Sequence, residues 1–463
     1  MGLLTSAASR AEVPVFPVVG AGGREAAEAL WLLPGVRMVD TPRAAAVLVV
    51  IGRLTRALLQ PVLLVHDQMP GPRATLWWPV DGRPADDGTD GDEGLLAALP
   101  DVVTTTAGDA AGLRAVFADL LAGRRPWGPP ALADIESPRW RGVGPYGHGG
   151  EGMMGGVPYG RPFAEMAQDP DGLMLDQLPL QIGPLFPALP PGLVLHLGLQ
   201  GDVIRGVTLG DNPYRSWPGD PPVGPLDSVP FLDARTSPTT VAALEVARAR
   251  HHLRWLARTL RLHGLDARGR RIAALAGGLS ATDRPAVEAL ARRLGRDRGL
   301  AGATAGVGVA DQATLEPLGI ELAGGPVARA AGVAIDARTD DPAYAGLDFE
   351  PVVHHGGDAR ARLRQRVAEA AQALALAERA GDAVRSPGPP VEGPRGPLAP
   401  GRTMPSSSLI HLLPTLLDGQ EWGDAVTTVA SLDLDLEEAA VDQSATAWPQ
   451  TPTGTSTAST RTP

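Results

Sequence analysis

The chain has 463 residues, a formal net charge of −11, an ordinary hydrophobic content of 44% and sparse aromatics at 4%. That length allows two or three domains with cores of their own, while the acidic balance argues against sequence-independent nucleic-acid binding, which needs a basic face. Cysteine is absent, which excludes disulfides, a disulfide-linked partner, thiolate metal sites and a thiol nucleophile; lysine is absent too, so all 41 Lys-plus-Arg residues are arginine.

In chain order, the apolar run Val13–Val19 predicts a strand, followed by a Gly-rich turn and a helix over 24–33. AVLVVIG (Ala46–Gly52) is a continuous apolar run bounded by turn residues, as expected of a strand buried on both faces. A helix is predicted over 55–68, kinked or restarted at Pro61. Further strands are expected at 74–78 and 102–105 and a helix at 109–122, so residues 1–125 read as a doubly wound parallel α/β domain. Residues 126–170, with GPYGHGGEGMMGG, have the composition of a linker.

Beyond it, the runs 193–199 and 203–209, joined at Gln200-Gly201-Asp202, signal a β-hairpin. Ala/Arg/Leu-rich helices are predicted over 240–262, 283–296 and 358–380, with one more over 408–417. Residues 171–440 thus read as an α+β domain dominated by a helical bundle, and the Ser/Thr/Pro-rich 441–463 as a disordered tail. The first residues lack the basic-then-apolar pattern of a signal peptide. No apolar run approaches the roughly 20 residues needed to span a bilayer. The expected state is cytoplasmic, peripheral on the inner face of the cell membrane.

VVGAGGREAAEAL could be a dinucleotide fingerprint, with Gly20 and Gly22 in the turn and Asp40 downstream. Glu25 at the third glycine position and Pro14 and Pro17 in the strand argue against it. His251, His354 and His355 could ligate a metal in pairs, but no third ligand stands at diagnostic spacing, and His148 is alone in the linker.

The stretch Val47–Arg73, ending in HDQMPGPR, resembles the B subunit of respiratory complex I and the small subunit of nickel–iron hydrogenases. That resemblance implies a four-iron cluster held by four cysteines, at places filled here by Gly22, Gly23, Asp81 and Asp109. Asp carboxylates are hard oxygen donors unsuited to such a cluster, and Asp109 reads as a helix N-cap. The later part resembles the complex I D subunit, which is similar to the large hydrogenase subunit. The matching motifs are ALEVARARHHLRWL with Glu245, Arg248 and His252, GGPVARAAGVAIDAR with Arg329, VEGPRGPL, and SLDLDLEE.

At the places where the resemblance implies a quinone-facing pair of histidines and a tyrosine stand Phe186, Pro190 and Ser237. A quinone carbonyl needs a proton donor during two-electron reduction, and these positions offer none of the family's. No cofactor is therefore expected, although the family carries a 4Fe-4S cluster and quinone. The resemblance implies a B–D fusion that has lost its redox ligands, with a structural or coupling role on membrane subunits resembling proton antiporters. The alternative is an active NADH–quinone oxidoreductase-type subunit with quinone or nucleotide in the cavity between its halves. Glu245, Arg248, His252 and Arg329 are then interface or degenerate-site residues, and Glu245 and Arg248, three apart on one helix, can pair with each other.

Overall fold

The computed structural model describes residues 11–79, 95–134, 165–168, 174–214, 229–318, 324–399 and 404–441. Asp81, His148, most of the span read as linker and nearly all of the tail lie outside them.

The first unit is a five-stranded parallel sheet made of β1 (Val13–Val19), β2 (Val36–Met38), β3 (Val47–Ile51), β4 (Ala74–Trp78) and β5 (Val102–Thr104), in the order β2-β1-β3-β4-β5. β3 and β4 are central and buried throughout, which is why β3 is an unbroken apolar run and β4 carries only Thr75 among apolar residues. α1 (Arg24–Leu32) and α3 (Ala110–Leu121) share a core with one face of this sheet through Leu30, Leu113 and Phe117. α2 (Arg56–Gln68) packs Leu58 and Val62 into the core on the opposite face, alongside Leu48 and Val50. α2 runs unbroken through Pro61, so the helix does not restart there. Its buried Leu58, Val62, Leu63 and Val65 hold it against the sheet, and that packing outweighs the one hydrogen bond that proline removes.

A four-stranded antiparallel sheet follows, with β6 (Glu165–Gln168), β7 (Met174–Ile182), β8 (Leu195–Gln200) and β9 (Val203–Leu209) in sequential order. The β8–β9 hairpin stands at the expected turn, and β6 falls inside the span read as linker.

The helix-rich remainder is built on α4 (Val241–Leu262), with α5 (Asp266–Gly277), α6 (Arg284–Gly295), α7 (Arg298–Thr304), the short α8 (Pro326–Ala330) and the long α9 (Ala359–Ala380). α10 (Pro405–Ile410), α11 (Leu413–Leu417), α12 (Trp422–Leu432) and α13 (Leu436–Val441) complete it. The single helix expected over 408–417 is two short ones, because Pro414 has no N–H to give and opens a helix more readily than it continues one.

One hydrophobic core runs from the parallel sheet (Phe16, Leu48, Val50) through Leu193 and Leu195 to Leu413 and Leu432. The two halves are thus packed against each other. Among the described residues no helix is long and apolar enough to cross a membrane.

Candidate functional site

The site lies where α4 crosses between the halves. Arg254, Arg258 and Arg261 recur at helical spacing along α4 and meet the carboxylates of the first unit. Arg254 reaches Glu25 at 2.9 Å and Glu28 at 3.2 Å, Arg258 also pairs with Glu28, and Arg261 reaches Asp40 at 3.1 Å. From the other side, Arg24 on α1 pairs with Asp435 at 3.0 Å, and the Gly22 N–H donates to Glu437 Oε2 at 2.9 Å.

Asp433 is the hub behind this seam. It caps α12 in the left-handed region (φ 58°) and is buried. Its carboxylate meets His251 Nε2 at 2.6 Å, Arg366 at 3.2 Å, Arg258 at 3.4 Å and Arg395 at 3.5 Å. Arg395 goes on to Asp435 and Glu438 at 3.3 and 3.4 Å. Burial alone would raise the Asp433 carboxyl, but Arg395, His251 and Arg366 hold it well below the usual carboxylate range.

A second cluster lies deeper. Arg329 on α8 bonds Glu369 and Glu392, each at 2.8 Å, and pairs with Asp336 at 3.0 Å. Arg338 joins Asp336 at 2.7 Å to Glu245 at 3.0 Å, and the Tyr344 hydroxyl donates to Glu245 at 2.6 Å. Arg248 binds Glu245 at 3.2 Å and also donates to the carbonyls of Glu392 and Gly393 at 2.7 and 3.0 Å. Burial opposes ionisation of Asp336, yet Arg338 and Arg329 hold it down at about 2. Glu392 is pushed up by burial and by the neighbouring Asp336 charge. His252 stands 3.3 Å from Glu369, too poorly aligned for a good hydrogen bond, and burial drops its basicity to about 3 despite that carboxylate. The two clusters adjoin where the His251 and His252 rings meet edge to face, 5.6 Å apart.

Residues 280–394 match the family described as the 49 Kd subunit of respiratory-chain NADH dehydrogenase. The matched stretch carries Arg329, Asp336, Arg338, Glu369 and Glu392, so most of the deeper cluster belongs to this 49 Kd-like region. No curated protein matches the chain. Among solved structures, a chain of the membrane-bound sulfane sulfur reductase, an archaeal respiratory membrane complex, is 21% identical over 57% of this chain and 98% of its own, with a TM-score of 0.45.

A cavity of about 400 Å³ opens between the halves, beside the Asp433-linked seam. Trp31, Met38, Phe186, Pro190, Trp255 and Arg258 are among its lining residues. Phe186 also packs edge-on against Trp422, with ring centroids 5.9 Å apart. Ser237 is exposed and outside the cavity wall, so the structure brings together only two of the three positions grouped with it. Neither Phe186 nor Pro190 has a side-chain proton donor.

The positions at which the sequence resemblance implies cluster ligands fare no better. Gly22 and Gly23 offer no side chain. The Asp109 carboxylate is occupied in capping α3, accepting from the N–H groups of Ala111 and Gly112 at 3.1 and 2.8 Å. With no cysteine thiolate in the chain, these residues do not fit an iron–sulfur cluster.

Glu245, Arg248, His252 and Arg329 all lie in the deeper cluster, and the Glu245–Arg248 pair forms within a larger network. Sequence reasoning missed Asp433, Arg258 and Glu28; the arginine repeat in RWLARTLRL, opposite Glu25 and Glu28 on α1, was the available signal.

Removing one partner of a buried ion network strands the others, so Asp433→Ala is expected to lower unfolding free energy by about 3 kcal/mol or more in urea titration; an unchanged midpoint would contradict the hub role. His252 gives a pH signature. Between its folded value of about 3 and the ordinary 6.5, the unfolded chain binds a proton that the folded chain refuses, so stability falls as pH drops through that window. Asp433 and Glu369, also held low when folded, add their loss once pH falls below their ordinary values of 3.8 and 4.5 and until their own folded values are reached. Between pH 6 and 5, His252→Gln should flatten the stability slope by about 1 kcal/mol per pH unit. Parallel slopes for both proteins would disprove the assignment.

Proposed function

We propose that the chain is a redox-silent subunit of a complex I-like assembly, a fusion of B-type and D-type halves with a structural or coupling role on membrane subunits resembling proton antiporters. The observation that carries this reading is a division among its motif residues. Glu245, Arg248 and Arg329 are engaged in buried ion pairs and His252 is buried beside Glu369, while Gly22, Gly23, Asp109, Phe186 and Pro190 offer neither sulfur nor a free acid at the places where electron and proton transfer would need one. Fusion suits a module whose halves must stay docked, since tethering raises their effective concentration. On this reading the chain sits peripherally on the cytoplasmic face of the membrane, and the 49 Kd-like match supports an assembly of this kind.

A second reading keeps the cavity in use. Its size and its aromatic wall of Trp31, Trp255 and Phe186 suit an occupant such as quinone or nucleotide. Mass spectrometry of the purified protein under non-denaturing conditions separates the two, because retained quinone or nucleotide favours the second.

Affinity purification of tagged full-length chain from detergent-solubilised membranes should recover polytopic antiporter-like subunits in constant ratio. Recovery of the chain alone, from the soluble fraction, would refute the assembly role.

A further inference from the structure

Away from the seam, α5, α6 and the start of α7 form a basic corner on an otherwise acidic protein. Residues 265–300 hold eight arginines against four carboxylates, whereas the whole chain is at −11. Arg268, Arg271, Arg292, Arg293, Arg296 and Arg298 are exposed. Geometry ties them together: Arg268 near the start of α5 pairs at 2.7 Å with Asp297, between the end of α6 and the start of α7. Arg271 is one turn beyond Arg268, and Arg292 and Arg293 are one turn before Arg296.

The carboxylate amid the corner is already engaged. Asp297 accepts from the Leu300 N–H at 3.1 Å as the α7 cap and from Arg268, and Glu288 is shared by Arg284 and, at 4.0 Å, by Arg292. Among the described residues, Arg271, Arg293, Arg296 and Arg298 have no acidic partner. Arg292 and Arg293 also complement the carbonyl end of α6, but that role does not extend to Arg268, Arg271 or Arg298.

We propose that this corner docks on an anionic phospholipid surface. Three features favour a headgroup plane over other polyanions or a protein partner. The guanidinium fork matches phosphate oxygens and needs no enclosing pocket when phosphates lie in a plane. No Trp, Tyr or Phe occurs between Trp255 and Tyr344, so the corner lacks both the stacking platforms of single-strand binders and the aromatic anchors of protein interfaces. Exposed residues between the arginines are small, including Ala274, Gly277 and Gly295, which leaves the face open to a flat contact. Screening over about 8 Å at physiological salt lets the corner act apart from the acidic remainder.

The test is co-sedimentation of the full-length protein with vesicles of phosphatidylcholine alone or with about one-third phosphatidylglycerol. Binding to the anionic vesicles only, reversed by about 0.5 M salt, is expected. Arg271→Gln/Arg293→Gln/Arg296→Gln should weaken it about tenfold or more. The charge-matched control Arg37→Gln/Arg43→Gln/Arg364→Gln, at exposed arginines elsewhere, should bind as wild type does. Circular dichroism melts of both variants establish that they are folded. No binding to anionic vesicles, equal binding to neutral ones, full binding by the corner variant, or tighter binding to duplex DNA at equal phosphate would each overturn the proposal. The vesicles contain no partner subunit, so the outcome is independent of the assembly role proposed above.

Discussion

Asp433 holds the two halves in register. Its left-handed backbone ends α12 and turns the carboxylate toward Arg258, Arg366, Arg395 and His251, which come from three different parts of the chain. Arg258 in turn reaches Glu28 on α1, so one buried carboxylate fixes where the parallel-sheet unit sits against the long helix α4. Apolar packing would supply comparable stability with less geometric demand. Ion pairs of this kind are directional, and stranding one partner in the interior is expensive. The result is a seam with one well-defined arrangement.

The deeper cluster extends that constraint. Arg329, Glu369 and Glu392 join α8, α9 and the Val391–Leu398 hairpin, and Arg338 with Glu245 joins them to the start of α4. Because Arg248, Arg329 and Arg338 each face at least one carboxylate, this cluster is charged but locally neutralised. Hydrogen bonds to Glu245 from Tyr344 and to backbone carbonyls from Arg248 satisfy groups that would otherwise be stranded. Such a network preserves shape without requiring a redox centre to justify its charges.

Much of this was legible from residues. The unbroken apolar run of β3 and the alternation of strands with helices announced a parallel sheet, and the Ala/Arg/Leu-rich stretches 240–262 and 358–380 announced the two long helices. What escaped was set by contacts distant in sequence. α5 reads poorly because Gly269 stands in it, yet a side chain there would meet the Trp31 ring and the Ala257 carbonyl, at 2.8 and 2.7 Å from its Cβ. β7 is obscured by Pro179, which stands opposite Gly198, beside the register shift between Leu197 and Gly198 that interrupts the β8–β9 pairing. Within SLDLDLEE, nothing local distinguishes Asp433 from Asp435; only the fold directs one to α4 and the other to Arg24 and Arg395. The candidate site was half-read for the same reason. Its motif side chains were visible one helix at a time, and their partners were not.

The halves share one apolar core, are held in register by buried ion pairs, and carry no cysteine thiolate for an electron relay. Anaerobic incubation of the purified protein with ferrous iron and sulfide, followed by desalting, iron determination and electron paramagnetic resonance after dithionite reduction, tests this most directly. The account predicts no stoichiometric iron and no signal. A stable cluster retained at one per chain, with a reduced-state spectrum, would contradict it.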